Sequence, residues 1–403
     1  MSHKRIKFQC RVIDQRAGKD QPPLMAVSIH HGVVRRDSLT DDLPRAEDLS
    51  NYKLCETGDI VLNRMRAFQG AIGISSQRGI VSPDYLVLRP GPDVDAGYLH
   101  HLFRSAWFVG EMVSRLRGIG NTENGSVRTP RINSEDLLDI EVPFPSLNEQ
   151  RRIADFLDVE TTRIDQLISD QSRVISLLDE RVSSQILGII GGSRLAITGG
   201  TNISPIRRLL VKLNRATMAT DEVITAFRDG QVTTRNARRN EGYTLATSTE
   251  PQGQGVKVGD IVIHGLDGFA GAIGDSEAVG NCSPVYHVCT PLDGGNPAFY
   301  GRLLRVLAVE GYLGLFASST RERAVDFRSW DLFGNIPVPR VDIAVQHEIG
   351  ESVVSIRPLR ERVTRFNERL AERRQALITA AVTGQIDVTT ARPQLPSAGG
   401  VSS

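Results

Sequence analysis

Two long stretches of the chain place apolar residues every three or four positions among Arg, Asp, Glu and Gln. In the first these are Ile153, Leu157, Ile164, Leu167, Ile168, Val174, Ile175, Leu178, Val182, Ile186 and Ile189, ending at Gly191-Gly192. In the second they are Ile349, Val353, Ile356, Val363, Phe366, Leu370 and Leu377, ending at Gly384, with Pro358 as an expected kink near the start. This period is one face of an α-helix, and glycine is a common helix stop. A helix of roughly 35 residues is about 50 Å long, too long for its stripe to be buried on one small module. The two helices are therefore expected to pair antiparallel as a coiled coil. The pairing positions are Ile164, Leu167, Val174, Leu178 and Val182 on the first and Ile356, Val363, Leu370 and Leu377 on the second.

The segments before the helices repeat one another. Gly58-Asp59-Ile60-Val61 recurs as Gly259-Asp260-Ile261-Val262, a shift of 201. At the same shift Gly70-Ala71-Ile72-Gly73 matches Gly271-Ala272-Ile273-Gly274, and Ser82-Pro83-x-Tyr85 matches Ser283-Pro284-x-Tyr286. Residues 58–90 and 259–291 share 16 identities in 33 gapless positions, which chance does not produce. Val142-Pro143-Phe144-Pro145 then answers Ile336-Pro337-Val338-Pro339 at the exit of each segment. Short β-rich runs (Asp59 to Leu62, Tyr85 to Leu88, Asp260 to Ile263) alternate with glycine turns, and Tyr98 to Leu116 and Pro297 to Leu315 are helix-like. The expected fold class is α+β: two similar mixed α/β modules separated by two long antiparallel helices, with a pseudo-two-fold internal repeat. The boundaries are a first module at 1–147, a spacer helix at 148–195, a second module at 196–342, a second spacer helix at 343–390 and a disordered tail at 391–403.

Composition excludes more than it identifies. The 403 residues carry a net charge of +1, which does not announce a nucleic-acid binder. Only six of the 48 basic residues are lysine. The arginine fork suits guanine and phosphate, though on composition alone a GC-rich genome that encodes arginine cheaply is the better explanation of the skew. No apolar run reaches the roughly 20 residues that span a bilayer, and the basic start has no apolar stretch behind it, so neither membrane nor secretory leader is expected. Cys10, Cys55, Cys282 and Cys289 lack metal-ligand spacing and read as reduced thiols of a cytoplasmic protein. There is no G-x-x-x-x-G-K-[ST] phosphate loop. Asn296-Pro297-Ala298-Phe299 reads as the start of a helix, and the pairs His30-His31 and His100-His101 as surface or core histidines. No catalytic residue and no metal site is expected.

Pro143-Phe144-Pro145-Ser146-Leu147-Asn148-Glu149-Gln150-Arg151-Arg152-Ile153-Ala154 resembles the P-L-P-x-x-x-E-Q-x-x-I-A signature of type I restriction specificity subunits. Phe156-Leu157-Asp158 and Ile164-Asp165-Gln166-Leu167-Ile168 resemble its continuation. Leu377-Ile378 with Ala381-Val382-Thr383-Gly384-Gln385-Ile386-Asp387 resembles the terminal L-I-x-x-A-V-T-G-x-I-D. The second exit departs from the pattern, with Val345-Gln346 in place of the acid-Gln pair. The resemblance implies two target-recognition domains on double-stranded DNA, each reading half of a bipartite site. It also implies two methyltransferase (modification) subunits on the helices and restriction/translocase subunits in the full complex. S-adenosylmethionine, ATP and Mg²⁺ would belong to those partners, with no cofactor in this chain. A type IIB-like or stand-alone methyltransferase system would use the same modules, and a coiled-coil interaction protein without a DNA role is the alternative from another class.

Candidate DNA contacts lie where the repeat diverges. Asn63-Arg64-Met65-Arg66 is opposed by His264-Gly265-Leu266-Asp267. Arg64 and Arg66 suit guanine edges, Asn63 and Gln69 adenine edges, with His264 the counterpart in the second module. Before each exit stand Arg115, Arg117, Asn121, Asn124, Arg128 and Arg131, and Ser319, Thr320, Arg321, Arg323 and Arg328. These arginine-rich polar loops suit phosphate and base contacts.

Overall fold

The computed structural model describes residues 2–20, 22–29, 32–40, 48–116, 131–191, 202–220, 222–238, 253–292, 294–316 and 326–388. The expected tail at 391–403 lies outside them. The chain divides into two compact units, Met1–Ser169 with Phe366–Ser403, and Asp170–Arg365.

The first unit runs through β1 (Ser2–Arg5), β2 (Cys10–Ile13), β3 (Met25–Ser28), β4 (Gly32–Arg35) and β5 (Lys53–Cys55). Next come β6 (Ile60–Leu62), β7 (Ile72–Ile74), β8 (Gly79–Val81) and β9 (Leu86–Pro90). Helices α1 (Ala96–Arg104), α2 (Ala106–Val113) and α3 (Ser134–Leu138) precede β10 (Glu141–Phe144) and the long α4 (Leu147–Ile189). A four-stranded antiparallel sheet in the order β2-β9-β6-β7 is joined by the ladders β1-β10, β3-β4 and β5-β8.

The second unit follows the same plan with β11 (Ile203–Pro205), β12 (Leu210–Lys212), β13 (Ile224–Ala226), β14 (Val232–Thr234) and β15 (Gln254–Val256). Then come β16 (Ile261–His264), β17 (Ile273–Asp275), β18 (Gly280–Cys282) and β19 (Tyr286–Pro291). Helices α5 (Pro297–Val309) and α6 (Trp330–Phe333), β20 (Pro337–Pro339) and α7 (Ile343–Val382) complete it, Pro358 lying inside the continuous α7. Its sheet order, β12-β19-β16-β17 with ladders β11-β20, β13-β14 and β15-β18, reproduces the first unit ladder for ladder.

The strands bury both faces. Ile60 and Leu62 pack with Leu86 and Leu88 against Tyr98, Leu102 and Phe103 of α1 and Phe108 of α2. Val61 and Val87 point the other way, onto Met25, Val27 and Val33 of the β3-β4 hairpin. In the second unit Ile261 and Ile263 meet Phe299, Leu303 and Leu307, while Val262 and Val288 meet Ile224 and Val232. The helix-like run after Tyr98 is two helices, because Ser105 ends α1 and its hydroxyl accepts from Phe108 N at 3.2 Å to begin α2. Asn296 likewise caps α5, with Pro297 in its first turn.

The repeated motifs have physical reasons. Asp59, buried before β6, accepts from Glu56 N at 2.8 Å and takes the Arg89 guanidinium bidentately at 2.8 Å. Its counterpart Asp260 accepts from Lys257 N at 2.7 Å but pairs with Arg215, so the acid is kept and its base is not. In the G-A-I-G motif, Gly70 and Gly271 both end a short 3₁₀ turn at φ +94°, where L side chains are strained. The second glycine admits a hairpin: a Cβ on Gly73 would lie 2.6 Å from Val33 N, and one on Gly274 would lie 2.1 Å from Gly230 O.

A buried glutamine seats each module on its long helix. The Gln150 Oε1 accepts from Asp95 N at 2.9 Å, and its Nε2 donates to Pro145 O at 3.0 Å and Asp93 O at 3.3 Å. Gln346 does the same, accepting from Asn296 N at 3.2 Å and donating to Val341 O at 2.9 Å and Tyr300 Oη at 3.3 Å.

Within the first unit, Ile153, Ala154 and Leu157 of α4 share a core with Ile378, Ala381 and Val382 of α7, and Asp165 pairs with Arg374 at 3.0 Å. Going forward along α4 is going back along α7, so these segments are antiparallel. Within the second unit, Val182 and Ile186 share a core with Ile349, Val353 and Ile356, and Asp179 pairs with Arg360 at 3.1 Å, again antiparallel. Ile164, Val182, Ile356 and Leu370 are buried, and Leu178, Val363 and Leu377 half-buried. Leu167 and Val174, expected in the seam, are 37% and 49% exposed, which corrects their assignment to helix pairing. Ion pairs join the helices nearby, and a straight 3.6-residue helix drifts off a 3.5-residue seam.

Gly73→Ala should destabilise the fold by about 2–3 kcal/mol, because its Cβ meets backbone rather than a yielding side chain. Gly110→Ala, in α2 with nothing within 4 Å of the added Cβ, should stabilise by about 0.5–1 kcal/mol. Urea unfolding of the two variants checks the contrast.

Candidate nucleic-acid interface

The turn after β6 and its counterpart after β16 are built alike and tipped differently. Asn63 Oδ1 accepts from Met65 N at 3.1 Å, and its Nδ2 donates to Tyr85 Oη at 3.4 Å. His264 stands in the same place. Its Nδ1 accepts from Leu266 N at 3.1 Å and Asp267 N at 3.0 Å, with its ring 4.6 Å edge-on from Tyr286. An accepting Nδ1 puts the proton on Nε2, and burial holds the ring below the ordinary histidine value, so it is neutral at pH 7. Asn63 spends its Oδ1 and one Nδ2–H on holding the turn, and His264 has its Nε2–H left to donate.

What the turns present is unlike. In the first module Arg64 rests its Nε on Asp84 O at 2.8 Å, while the side chains of Arg66 and Gln69 are exposed and make no hydrogen bond to the described residues. In the second, Gly265 and Asp267 replace the two arginines, and Asp267 accepts from Arg228 at 3.0 Å. Both tips carry an exposed apolar residue at the same position, Met65 and Leu266.

The loop candidates divide three ways. Arg115 is held by the Glu111 carboxylate at 2.7 Å, and Arg328 lies bidentate on Asp326 at 3.0 and 2.6 Å. Their charges are already matched within the chain by these carboxylates. Arg131 is exposed. Arg117, Asn121, Asn124, Arg128, Ser319, Thr320, Arg321 and Arg323 lie outside the described residues.

Other reactive groups are occupied or quenched. His101 Nε2 is 2.7 Å from Asp158 Oδ1. Burial pushes the Cys10 and Cys282 thiols up to about 12, so they are inert. Among the described residues no group of three His, Cys, Asp or Glu is placed to hold a metal, and no helix is long and apolar enough to cross a membrane. One feature escaped the sequence reading: Arg302, Arg305, Arg357 and Arg360 line one cavity of the second unit. The match of Arg104 with Arg305 at the 201 shift was the available signal.

Residues 46–173 match the family described as the type I restriction modification DNA specificity domain. No curated protein matches the chain in sequence. Among solved structures, 96% of the chain aligns with 98% of a chain from work on complex assembly and conformational transition of the type I R-M system, at 13% identity and a TM-score of 0.57. It is also similar to the HsdS subunit from Thermoanaerobacter tengcongensis (14% identity, 96% and 97% covered, TM-score 0.39). A third similar structure is the type I restriction-modification S subunit from M. genitalium (15%, 94% and 96%, 0.45). The first of these has the same fold over almost the whole length of both chains. Residues 46–173 thus resemble a type I DNA specificity domain, and the internal repeat supplies a second copy of the same scaffold.

The histidines set an acid limit. Burial first of all holds His264 and His287 below their ordinary value and His100 at about 3. Below about pH 6.5 the unfolded chain takes up protons that the folded chain refuses. Stability is therefore full above that pH and falls as pH drops toward 3. Unfolding midpoints measured from pH 7 to pH 4 should decline throughout; a flat profile between 7 and 5 would contradict these assignments.

Proposed function

We propose that the chain reads a bipartite, asymmetric DNA site, one half per module, and directs partner subunits to it without catalysing a reaction itself. The observation that carries this reading is the pairing of one scaffold with two chemically different tips. A turn offering Arg64, Arg66 and Gln69 suits guanine and adenine edges, whereas one offering Leu266, a salt-bridged Asp267 and the His264 Nε2–H suits another sequence. Arg131 is assigned to phosphate. The same holds for Arg117, Asn121, Asn124, Arg128, Ser319, Thr320, Arg321 and Arg323, as phosphate or base contacts.

The partners in this reading are two methyltransferase subunits and the restriction/translocase subunits of a cytoplasmic complex, which hold S-adenosylmethionine, ATP and Mg²⁺. Leu167, Val174, Leu177 and Phe366, exposed on α4 and α7, offer apolar surface for them. The continuous helices act as the ruler between half-sites, since an α-helix adds about 1.5 Å per residue.

Two experiments on the chain assembled with its methyltransferase test this. Arg66→Ala should cost about 1–3 kcal/mol in binding a selected duplex and relax preference in one half-site only. Relaxation spread equally over both halves, or no change, would refute the division of labour. Lengthening α4 between residues 165 and 178 by about one or two turns should change the spacer between half-sites and leave the half-sites themselves unaltered. An unchanged spacer would sink the ruler.

A further inference from the structure

A small, partly open cavity of about 20 Å³ lies in the second unit where α5 and β17 meet the α7 segment. Four arginines converge on it: Arg302 and Arg305 from α5, Arg357 and Arg360 from α7. Their carboxylate partners are fully engaged. Arg357 holds both oxygens of Asp275, the longer contact being 2.6 Å. Arg302 and Arg360 share Asp179 at 2.6 and 3.1 Å. Glu277 lies 3.4 Å from Arg357 and 3.8 Å from Arg360. Beside the cluster Asp229 is matched by Arg238. Four guanidiniums thus face three carboxylates, one positive charge in excess.

The excess is not diffuse. Arg302 is only 7% exposed, and among the described residues its buried Nη1 has no hydrogen-bond partner; the buried Nε of Arg305 has none either. Desolvation, reinforced by the Arg302 charge, pushes the Arg305 guanidinium below its ordinary value. A buried unpaired donor costs about 1–3 kcal/mol, and a buried unpaired charge costs more.

We propose that this cavity binds one monoatomic monovalent anion, chloride under ordinary conditions, between the free donors of Arg302 and Arg305. The volume fits one water-sized sphere and is too small for a phosphate or a carboxylic acid. A water would accept the donors but leave the charge uncompensated, whereas a halide removes both costs. The ion braces α5 of the module against the α4 and α7 segments of its own unit, through Asp179 and Arg357. The first module is built otherwise. His101 stands at the position of Arg302 with its Nε2 already on Asp158 at 2.7 Å, and Ile74 replaces Asp275.

The full chain crystallised in bromide should show an anomalous peak in contact with Arg302 and Arg305. At constant ionic strength, replacing glutamate with chloride should raise Tm saturably, by roughly 1–2 °C for a binding gain of order RT in a unit this size. Arg302→Met should abolish that halide dependence. An ordered water in place of the bromide peak, or a wild-type Tm indifferent to halide, overturns the proposal. The wild-type measurements decide it even if Arg302→Met fails to fold.

Discussion

The arrangement rests on one side chain used twice, the buried glutamine at the start of each long helix. An amide is both donor and acceptor, so Gln150 satisfies the amide nitrogen that opens α1 and the carbonyls of the loop and exit strand together. A carboxylate of the same length would leave the carbonyls without a donor. Gln346 repeats the arrangement around Asn296 and Val341. Each module is thereby seated on its helix segment at the point where chain direction changes. The acid beside the glutamine is dispensable to this joint, since Val345 stands where the first module has Glu149.

On that seat a constant scaffold carries variable tips. The buried Asp59 and Asp260 brace the strand before the turn, and Asn63 and His264 hold the turn from within. Chemistry is then free to change one or two residues further on, from two arginines to a glycine and a salt-bridged aspartate. Even the bracing tolerates exchange, for Arg89 and Arg215 reach the same acid from different places. In the proposed reading, stability and recognition are thus carried by different residues a few positions apart.

Much of this was legible in the residues themselves. The 201-residue shift, the two helices and the start of α5 at Asn296-Pro297 follow from spacing and punctuation alone. The loss of seam burial at Leu167 and Val174 does not, because exposure depends on how two helices cross, not on the period of either. The arginines were the harder lesson. Arg115 and Arg328 looked free as members of a basic loop, yet Glu111 and Asp326, four and two residues away, neutralise them. For the arginine cage of the second unit only the match of Arg104 with Arg305 showed in the sequence, because its members come from α5 and α7 and only the fold brings them to Asp179 and Asp275.

The central claim is that this chain chooses the DNA site at which its partners act. Co-expression with its methyltransferase partner, followed by single-molecule sequencing of host DNA for N6-methyladenine, tests it most directly. A split, asymmetric methylated motif that vanishes when this chain is deleted is the predicted result. Methylation unchanged by the deletion, with the rest of the complex intact, would contradict it.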